Sequence, residues 1–119
     1  MNEVWQDKIP PQDIEAEQAV LGAIFLDSDT LIDAMEIVTP RSFYRRSHQI
    51  IFQSMIQLSN RGEAIDLVTL KAEIEKSNAL EDIGGISYLS ELSQSTPSSA
   101  SVSYYAKIVD DKSLLRSEE

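Results

Sequence analysis

The residues that could do chemistry in this 119-residue chain are few and widely spaced. His48 is the single histidine, and there is no cysteine, which excludes disulfides, thiolate nucleophiles and thiolate metal sites. No glycine-rich loop ends in Lys-Ser or Lys-Thr, so the chain carries no Walker A phosphate loop. A lone histidine just after a helix start is typical of a structural residue, which is the favoured interpretation of His48.

Two further patterns have weak catalytic interpretations. The segment GISYL at residues 85–89 resembles the front of a nucleophile elbow, but it lacks the second glycine and a preceding strand. The acidic pairs Asp110-Asp111 and Glu15 with Glu17 could bind a hard cation, but side chains one or two helix positions apart do not face each other. We therefore expect no catalytic, cofactor-binding or metal site, and interpret these acids as a solvated face.

The charge balance indicates the kind of partner. Twenty acidic and ten basic residues give a net charge of -10 at pH 7. Proteins bind nucleic acid mainly through cationic side chains that displace counterions, so we expect no direct DNA binding. No apolar run is long enough to span a membrane, and the N-terminus lacks the plan of a secretory signal. We expect a soluble, cytoplasmic protein.

Two features stay open at this level. The basic cluster of Arg41, Arg45 and Arg46 could contact acidic groups on a partner or a neighbouring helix, but a solubilising linker is the favoured interpretation. Tyr88 precedes the apolar Leu89, so it is either a core residue that needs a hydroxyl partner or an exposed interface anchor.

The elements that must position these residues are predicted to be helices, because apolar residues recur at helical spacing. No segment alternates apolar and polar residues for long enough to form a strand. We predict an all-α, compact bundle of about six helices over residues 13–119, preceded by an arm over residues 1–12 whose Trp5 docks elsewhere. Phe25 is expected in the core. The first four helices are predicted to begin at caps at Asp13, Asp27-Ser28-Asp29, Ser47 and Asp66. They are predicted to end near Leu26, at Thr39-Pro40, at Asn60-Arg61-Gly62 and at Ser77-Asn78. A fifth helix is predicted after Gly84-Gly85, and a sixth that carries Val102 to Leu115.

Five sequence blocks agree in order and spacing with one known family. They are residues 9–22 (IPPQDIEAEQAVLG), 43–49 (FYR followed by HQ), 65–69 (IDLVT), 84–89 (GGISYL) and 104–109 (YYAKIV). Over about residues 9–115 the chain resembles the N-terminal domain of the bacterial replicative DNA helicase, the DnaB family, in a Firmicute-like form.

This resemblance implies a helical head, followed in the family by a helical hairpin, a linker and a RecA-like ATPase domain that binds ATP and Mg. The parent would be an ATP-dependent helicase, a hydrolase that unwinds DNA at the replication fork within the primosome. The segment here would be its non-catalytic collar, which assembles as a hexamer (a trimer of dimers) and docks the primase C-terminal domain, with a helicase loader as a further candidate partner. After Leu114-Leu115-Arg116 the family continues into the hairpin, whereas Ser117-Glu118-Glu119 closes this chain, so we expect it to be truncated before the hairpin.

The resemblance also suggests site residues. Glu15 and Tyr88 match head positions that the family uses, or is proposed to use, for contact with and response to primase. Tyr105 and Ile108 lie in the helix that leads towards the hairpin, where their apolar stripe serves either inter-subunit contact or the core of the head. The core interpretation is slightly favoured.

Two other classes of function remain as alternatives. One is an acidic helical adaptor, or a helix-turn-helix regulator that uses the third and fourth helices. The net charge and the scarcity of basic residues over 67–74 disfavour the DNA-binding regulator. The other is a small metal-dependent enzyme that uses Asp and Glu pairs, which the scarcity of His and Cys ligands disfavours.

Overall fold

The computed structural model describes residues 9–117, and within that range the chain forms α-helices and one 3₁₀ turn without strands. This confirms the predicted all-α fold of about six helices. The expected docking of Trp5, and most of the predicted arm, lie outside the described residues. The helices are α1 (Ile14–Leu26), α2 (Thr30–Met35), α3 (Arg46–Asn60), α4 (Leu67–Glu75), α5 (Gly85–Leu92) and α6 (Val102–Ser117), with the 3₁₀ turn at Pro40–Ser42.

Local capping explains most of these boundaries. The Asp13 carboxylate accepts from the backbone N–H of Ala16 at the start of α1. Asp66 and Thr69 form a reciprocal capping box at the start of α4. Gly62, with φ of 73°, takes the left-handed conformation just after α3 ends. The caps at Asp13 and Asp66 and the end of α3 are therefore as predicted.

The predicted start of α3 is wrong. Ser47 lies inside the helix, which begins at Arg46, and Arg45 occupies the capping position without a side-chain cap. Instead, the carboxylate of Glu17 on α1 accepts from the backbone N–H groups of Tyr44 (2.6 Å) and Arg45 (3.4 Å). A buried acid from another helix thus holds the backbone of the two residues that lead into α3, Tyr44 and Arg45.

The core is centred on α1, which packs against α2, α3, α5 and α6. The largest fully buried side chains of the core include Phe43 and Phe52, whose ring centroids lie 5.0 Å apart. Phe25, expected in the core, is only partly buried. Among the other predicted apolar stripes, Ile32, Ile86 and Leu115 are 63%, 43% and 49% exposed, because their helices bury a narrower face than the spacing suggested.

The Arg116 side chain connects the end of α6 to the beginning of the described chain through hydrogen bonds. Its guanidinium donates to the carbonyl oxygens of Pro11 (2.8 Å) and Ser42 (2.6 Å) and lies over the Tyr44 ring, 5.4 Å from its centroid. Since α6 and α1 also pack along their lengths, the two ends of the described segment are held side by side. None of the helices within residues 9–117 has the length and apolar character needed to cross a membrane.

Candidate partner-binding site

A groove runs between α1, α6 and the chain that leaves α5, and three of the four predicted partner residues line it. Glu15 lies on the α1 side, and Tyr105 and Ile108 lie on the α6 side. Tyr105 and Ile108 are partly buried against the core, so each contributes to the core and to the groove wall. We call this feature the α1–α6 groove; it encloses about 590 Å³.

The α1–α6 groove combines an apolar floor with an acidic lining. Ala16, Ala19 and Leu92 supply apolar surface, while Glu15 and Glu91 contribute carboxylates and no Lys or Arg of the described residues lines it. A positively charged, partly apolar protein segment would complement such a surface.

A close approach of two backbones fixes the shape of the groove wall. At Gly22 on α1, an added Cβ would lie 2.9 Å from the carbonyl oxygen of Leu92 and 2.3 Å from Ser95 Oγ. The Ser95 hydroxyl donates to the carbonyl of Gln18, 2.8 Å away. Only glycine lets the chain after α5 come this near to α1.

Tyr88 does not line the α1–α6 groove. It is partly buried, and its hydroxyl lies 2.6 Å from Nε2 of His48, within hydrogen-bonding distance. The same oxygen accepts from Nε2 of Gln18 (3.1 Å) and from Nη1 of Arg45 (3.0 Å). Because Gln18 also lines the groove, it connects Tyr88 with the other three predicted residues.

Behind Tyr88 lies a buried acid–histidine pair. Glu17 and His48 are 1% and 0% exposed, and Nδ1 of His48 lies 2.7 Å from Oε1 of Glu17. The rings of His48 and Tyr88 are nearly parallel, at 12°, with centroids 5.8 Å apart. This arrangement supplies the hydroxyl partner that a core position of Tyr88 requires.

Donor and acceptor capacities assign the protons in this network. Gln18 and Arg45 can only donate through the nitrogens involved, so they occupy both acceptor sites of the Tyr88 hydroxyl. The phenol O–H is then directed at Nε2 of His48, which must accept, and Nδ1–H donates to Glu17. The network runs from a buried carboxylate through a neutral imidazole to a fully used phenol.

The sequence interpretation missed the pairing of Glu17 with His48, although a signal was present. Glu17 precedes Val20, Leu21 and Ile24 by three, four and seven residues, so it shares the buried face of α1. His48 has the same relation to Ile51, Phe52 and Met55 on α3. An ionisable residue on each of two apolar faces indicates that the two side chains need each other as partners.

In the described part of the chain, no cluster of three or more His, Asp or Glu side chains is placed to hold a metal ion. Asp110 and Asp111 occupy neighbouring positions on α6, and Glu15 is exposed whereas Glu17 is buried. Asp110 and Asp111 therefore differ in orientation, and Glu15 and Glu17 lie in different environments.

Residues 9–111 match the family model of the DnaB-like helicase N-terminal domain. The chain belongs to this family. It is 56% identical over 116 residues to the replicative DNA helicase DnaB of Geobacillus stearothermophilus and 52% identical over the same length to the replicative DNA helicase DnaC of Bacillus subtilis (strain 168). Each match covers 98% of this chain and 26% of the relative, so the chain spans about a quarter of the curated relatives it matches.

Solved structures agree with the family assignment. The N-terminal domain of DnaB helicase from Mycobacterium tuberculosis matches with a TM-score of 0.88 and 44% identity, over 91% of this chain and 75% of that one. A second match, with a TM-score of 0.77 and 28% identity, covers 88% of this chain and 25% of a DnaB-like replicative helicase whose structure was described with its interactions with primase. The DnaB-like fold predicted from the sequence is thus confirmed.

Proposed function

We propose that this DnaB-like domain is the non-catalytic collar of a replicative helicase, which joins neighbouring subunits into a hexamer and docks the primase C-terminal domain. Membership of the family supports this role, as does the interaction of a related helicase with primase. The observation that carries the proposal is the convergence of Glu15, Tyr105 and Ile108 on one acidic groove. ATP and Mg would bind in a separate C-terminal ATPase domain. The helicase would act in the cytoplasmic replication machinery.

The collar would act by avidity. Several copies of one docking groove on a ring raise the local concentration of a bound partner, so each contact can be weak while the assembly is stable. The negative charge suits a ring around DNA, because an acidic collar repels the strand that the motor domain must move.

The proposal is tested by titrating the primase C-terminal domain into this domain and measuring heat and stoichiometry. The wild-type domain should bind, and Glu15→Lys should weaken binding by about fivefold to tenfold because it reverses a charge in the groove. Glu81→Lys is the matched control, since Glu81 is exposed and lies outside the groove; it should change the Kd by less than about twofold. Equal losses in both variants would indicate a general charge effect and contradict the groove.

Two further measurements address the non-catalytic role. The domain should hydrolyse no ATP, and its affinity for DNA at physiological salt should be no tighter than about 10⁻⁴ M, the range of weak non-specific binding. A micromolar DNA complex that persists at that salt would contradict the proposal.

The helix-turn-helix alternative has less support. The cations on and beside α4 are paired with the domain's own acids: Lys71 with Glu75 at 3.6 Å, and Lys76 with Glu73 at 3.2 Å. A recognition helix needs such side chains for phosphates and base edges. Comparing DNA binding at two salt concentrations would distinguish the two functions.

A further inference from the structure

Arg45 is held in place by the same buried carboxylate that holds Tyr88. Glu17 accepts from the backbone N–H of Arg45 and from Nδ1 of His48. His48 in turn accepts from Tyr88, and the Tyr88 hydroxyl accepts from the Arg45 side chain. The hydrogen bonds form a closed ring that fixes Arg45 and Tyr88 relative to each other, with Glu17 and His48 buried and the bond between Arg45 and Tyr88 exposed.

The Tyr88 hydroxyl has no capacity left for a partner. Its proton is used on His48, and its two acceptor sites are used by Gln18 and Arg45. A protein that docks on this surface must therefore find its polar contact on Arg45.

Arg45 retains donors for such a contact. One of the five guanidinium N–H groups is used on Tyr88, and no other side-chain bond of Arg45 is made within residues 9–117. The side chain is exposed and lies within 4 Å of no carboxylate of the described chain, whereas Arg61, Lys71 and Lys76 all have acidic partners.

The surroundings fit a polar contact of limited size. A depression of about 520 Å³ is lined by Arg45, Tyr88 and Arg46, together with the hydroxyl-bearing Ser47 and Ser87. Asp82 and Glu91 also line it, so its overall charge is balanced and does not attract polyanions. An arginine fork fixed in one orientation suits a single, planar, bidentate carboxylate.

We propose that Arg45 and Tyr88 form a preorganised docking site for a carboxylate of a partner protein, with Glu17 and His48 as its positioning residues. The site lies outside the α1–α6 groove and rests on the proposed function in taking primase as the partner. Because the ring of hydrogen bonds already restricts the Arg45 side chain, little rotamer freedom is lost on binding.

The test is calorimetric titration of the primase C-terminal domain into arginine variants of this domain. Arg45→Gln should raise the Kd about tenfold or more, because it removes a charge-assisted bidentate contact. Arg45→Lys should recover only part of that loss, since a lysine keeps the charge but lacks the planar fork. Arg41→Gln is the matched control, because Arg41 is exposed and lies outside the depression; it makes the same charge change and should cost less than about twofold.

The contribution of the Tyr88 hydroxyl to holding Arg45 is tested by a double-mutant cycle. Tyr88→Phe keeps the ring but removes the acceptor of Arg45, so it should weaken binding about threefold to fivefold and add little to Arg45→Gln. A scan of the primase domain's Asp and Glu residues to Asn and Gln should find one whose loss is likewise non-additive with Arg45→Gln.

Three outcomes would overturn the site. They are equal effects of Arg45→Gln and Arg41→Gln, full rescue by Arg45→Lys, and additive losses in the cycle. A wild-type domain that fails to bind the primase domain overturns both proposals, whereas binding that survives Arg45→Gln overturns this one alone.

Discussion

The imidazole of His48 and the carboxylate of Glu17 meet 2.7 Å apart inside the protein, and this contact joins α3 to α1. The same carboxylate also accepts from the backbone N–H of Tyr44 just before α3. One buried acid therefore holds the backbone that leads into α3, fixes the tautomer of the only histidine and, through it, orients Tyr88. The exposed surface around Tyr88 is thus supported by buried residues.

Glu17→Gln should destabilise the domain by about 1–3 kcal/mol, the cost of an unsatisfied buried polar group. A glutamine can present one oxygen to His48, but its NH₂ group would then face the N–H of Tyr44, donor against donor. Chemical denaturation at pH 7 measures the loss. Glu15→Gln, an exposed neighbour in the same turn, should stay within about 1 kcal/mol, since only its interaction with the helix dipole changes. Equal stabilities of the two variants would show that the Glu17 network contributes nothing.

How far the sequence predicts this domain depends on how local each determinant is. Asp13 and Asp66 could be identified as caps because each bonds to the backbone three residues ahead. The start of α3 could not, because the backbone just before it is held by Glu17, 27 residues before Tyr44. Helix spacing alone cannot reveal a hydrogen bond supplied by another helix.

The site shows the same division. Glu15 and Tyr88 were suggested by family resemblance, but the bonds of Tyr88 to Gln18 and His48 span 70 and 40 residues. No local pattern encodes these contacts. The part of the signal that was available, an ionisable residue on an otherwise apolar helix face, predicts that Glu17 is buried without saying which residue pairs with it.

Gly22→Ala should be destabilising by about 1–3 kcal/mol, although alanine is intrinsically the better helix former by about 1 kcal/mol. The new methyl group would meet the carbonyl oxygen of Leu92 at 2.9 Å as well as Ser95 Oγ at 2.3 Å, and the backbone oxygen cannot turn aside. Thermal unfolding measures the change. Adding Ser95→Gly removes the hydroxyl but leaves the Leu92 contact, so it should restore only part of the lost stability. A Gly22→Ala variant as stable as wild type would mean that α1 and the end of α5 can separate without cost.

Phe52→Ala should cost about 3–5 kcal/mol, because the ring is fully buried and packs on Phe43. Phe25→Ala should cost clearly less, since Phe25 is only partly buried and part of its ring already contacts water. The free energy of unfolding from urea titrations of both variants tests this order. If Phe25→Ala lowered the free energy of unfolding by more than Phe52→Ala, Phe25 would contribute more to the core than Phe52.

The ion pairs that Arg61 makes with Glu63 and with Glu73 on α4 should make the stability of the domain depend on pH in the acid range. The hydrogen bond from Arg61, 2.6 Å from Oε1 of Glu73, is the main reason that the pKa of Glu73 lies below its ordinary value of 4.5, and the Arg61 guanidinium likewise lowers the pKa of Glu63. A carboxyl whose pKa is depressed by folding stabilises the native state above its unfolded pKa, and loses that contribution as the pH falls through the folded pKa. Glu73→Gln should therefore lower the melting temperature at pH 7, and the gap from wild type should close as the pH is taken below about 4.

Two controls separate this linkage from packing. Raising the salt concentration at pH 7 should narrow the difference between wild type and Glu73→Gln, because ion pairs near the surface are screened. Glu75→Gln, whose partner Lys71 is 3.6 Å away with both side chains exposed, should show a smaller change across the same pH range. A gap between wild type and Glu73→Gln that is constant from pH 7 to pH 3 would assign the role of Glu73 to packing and contradict the electrostatic account.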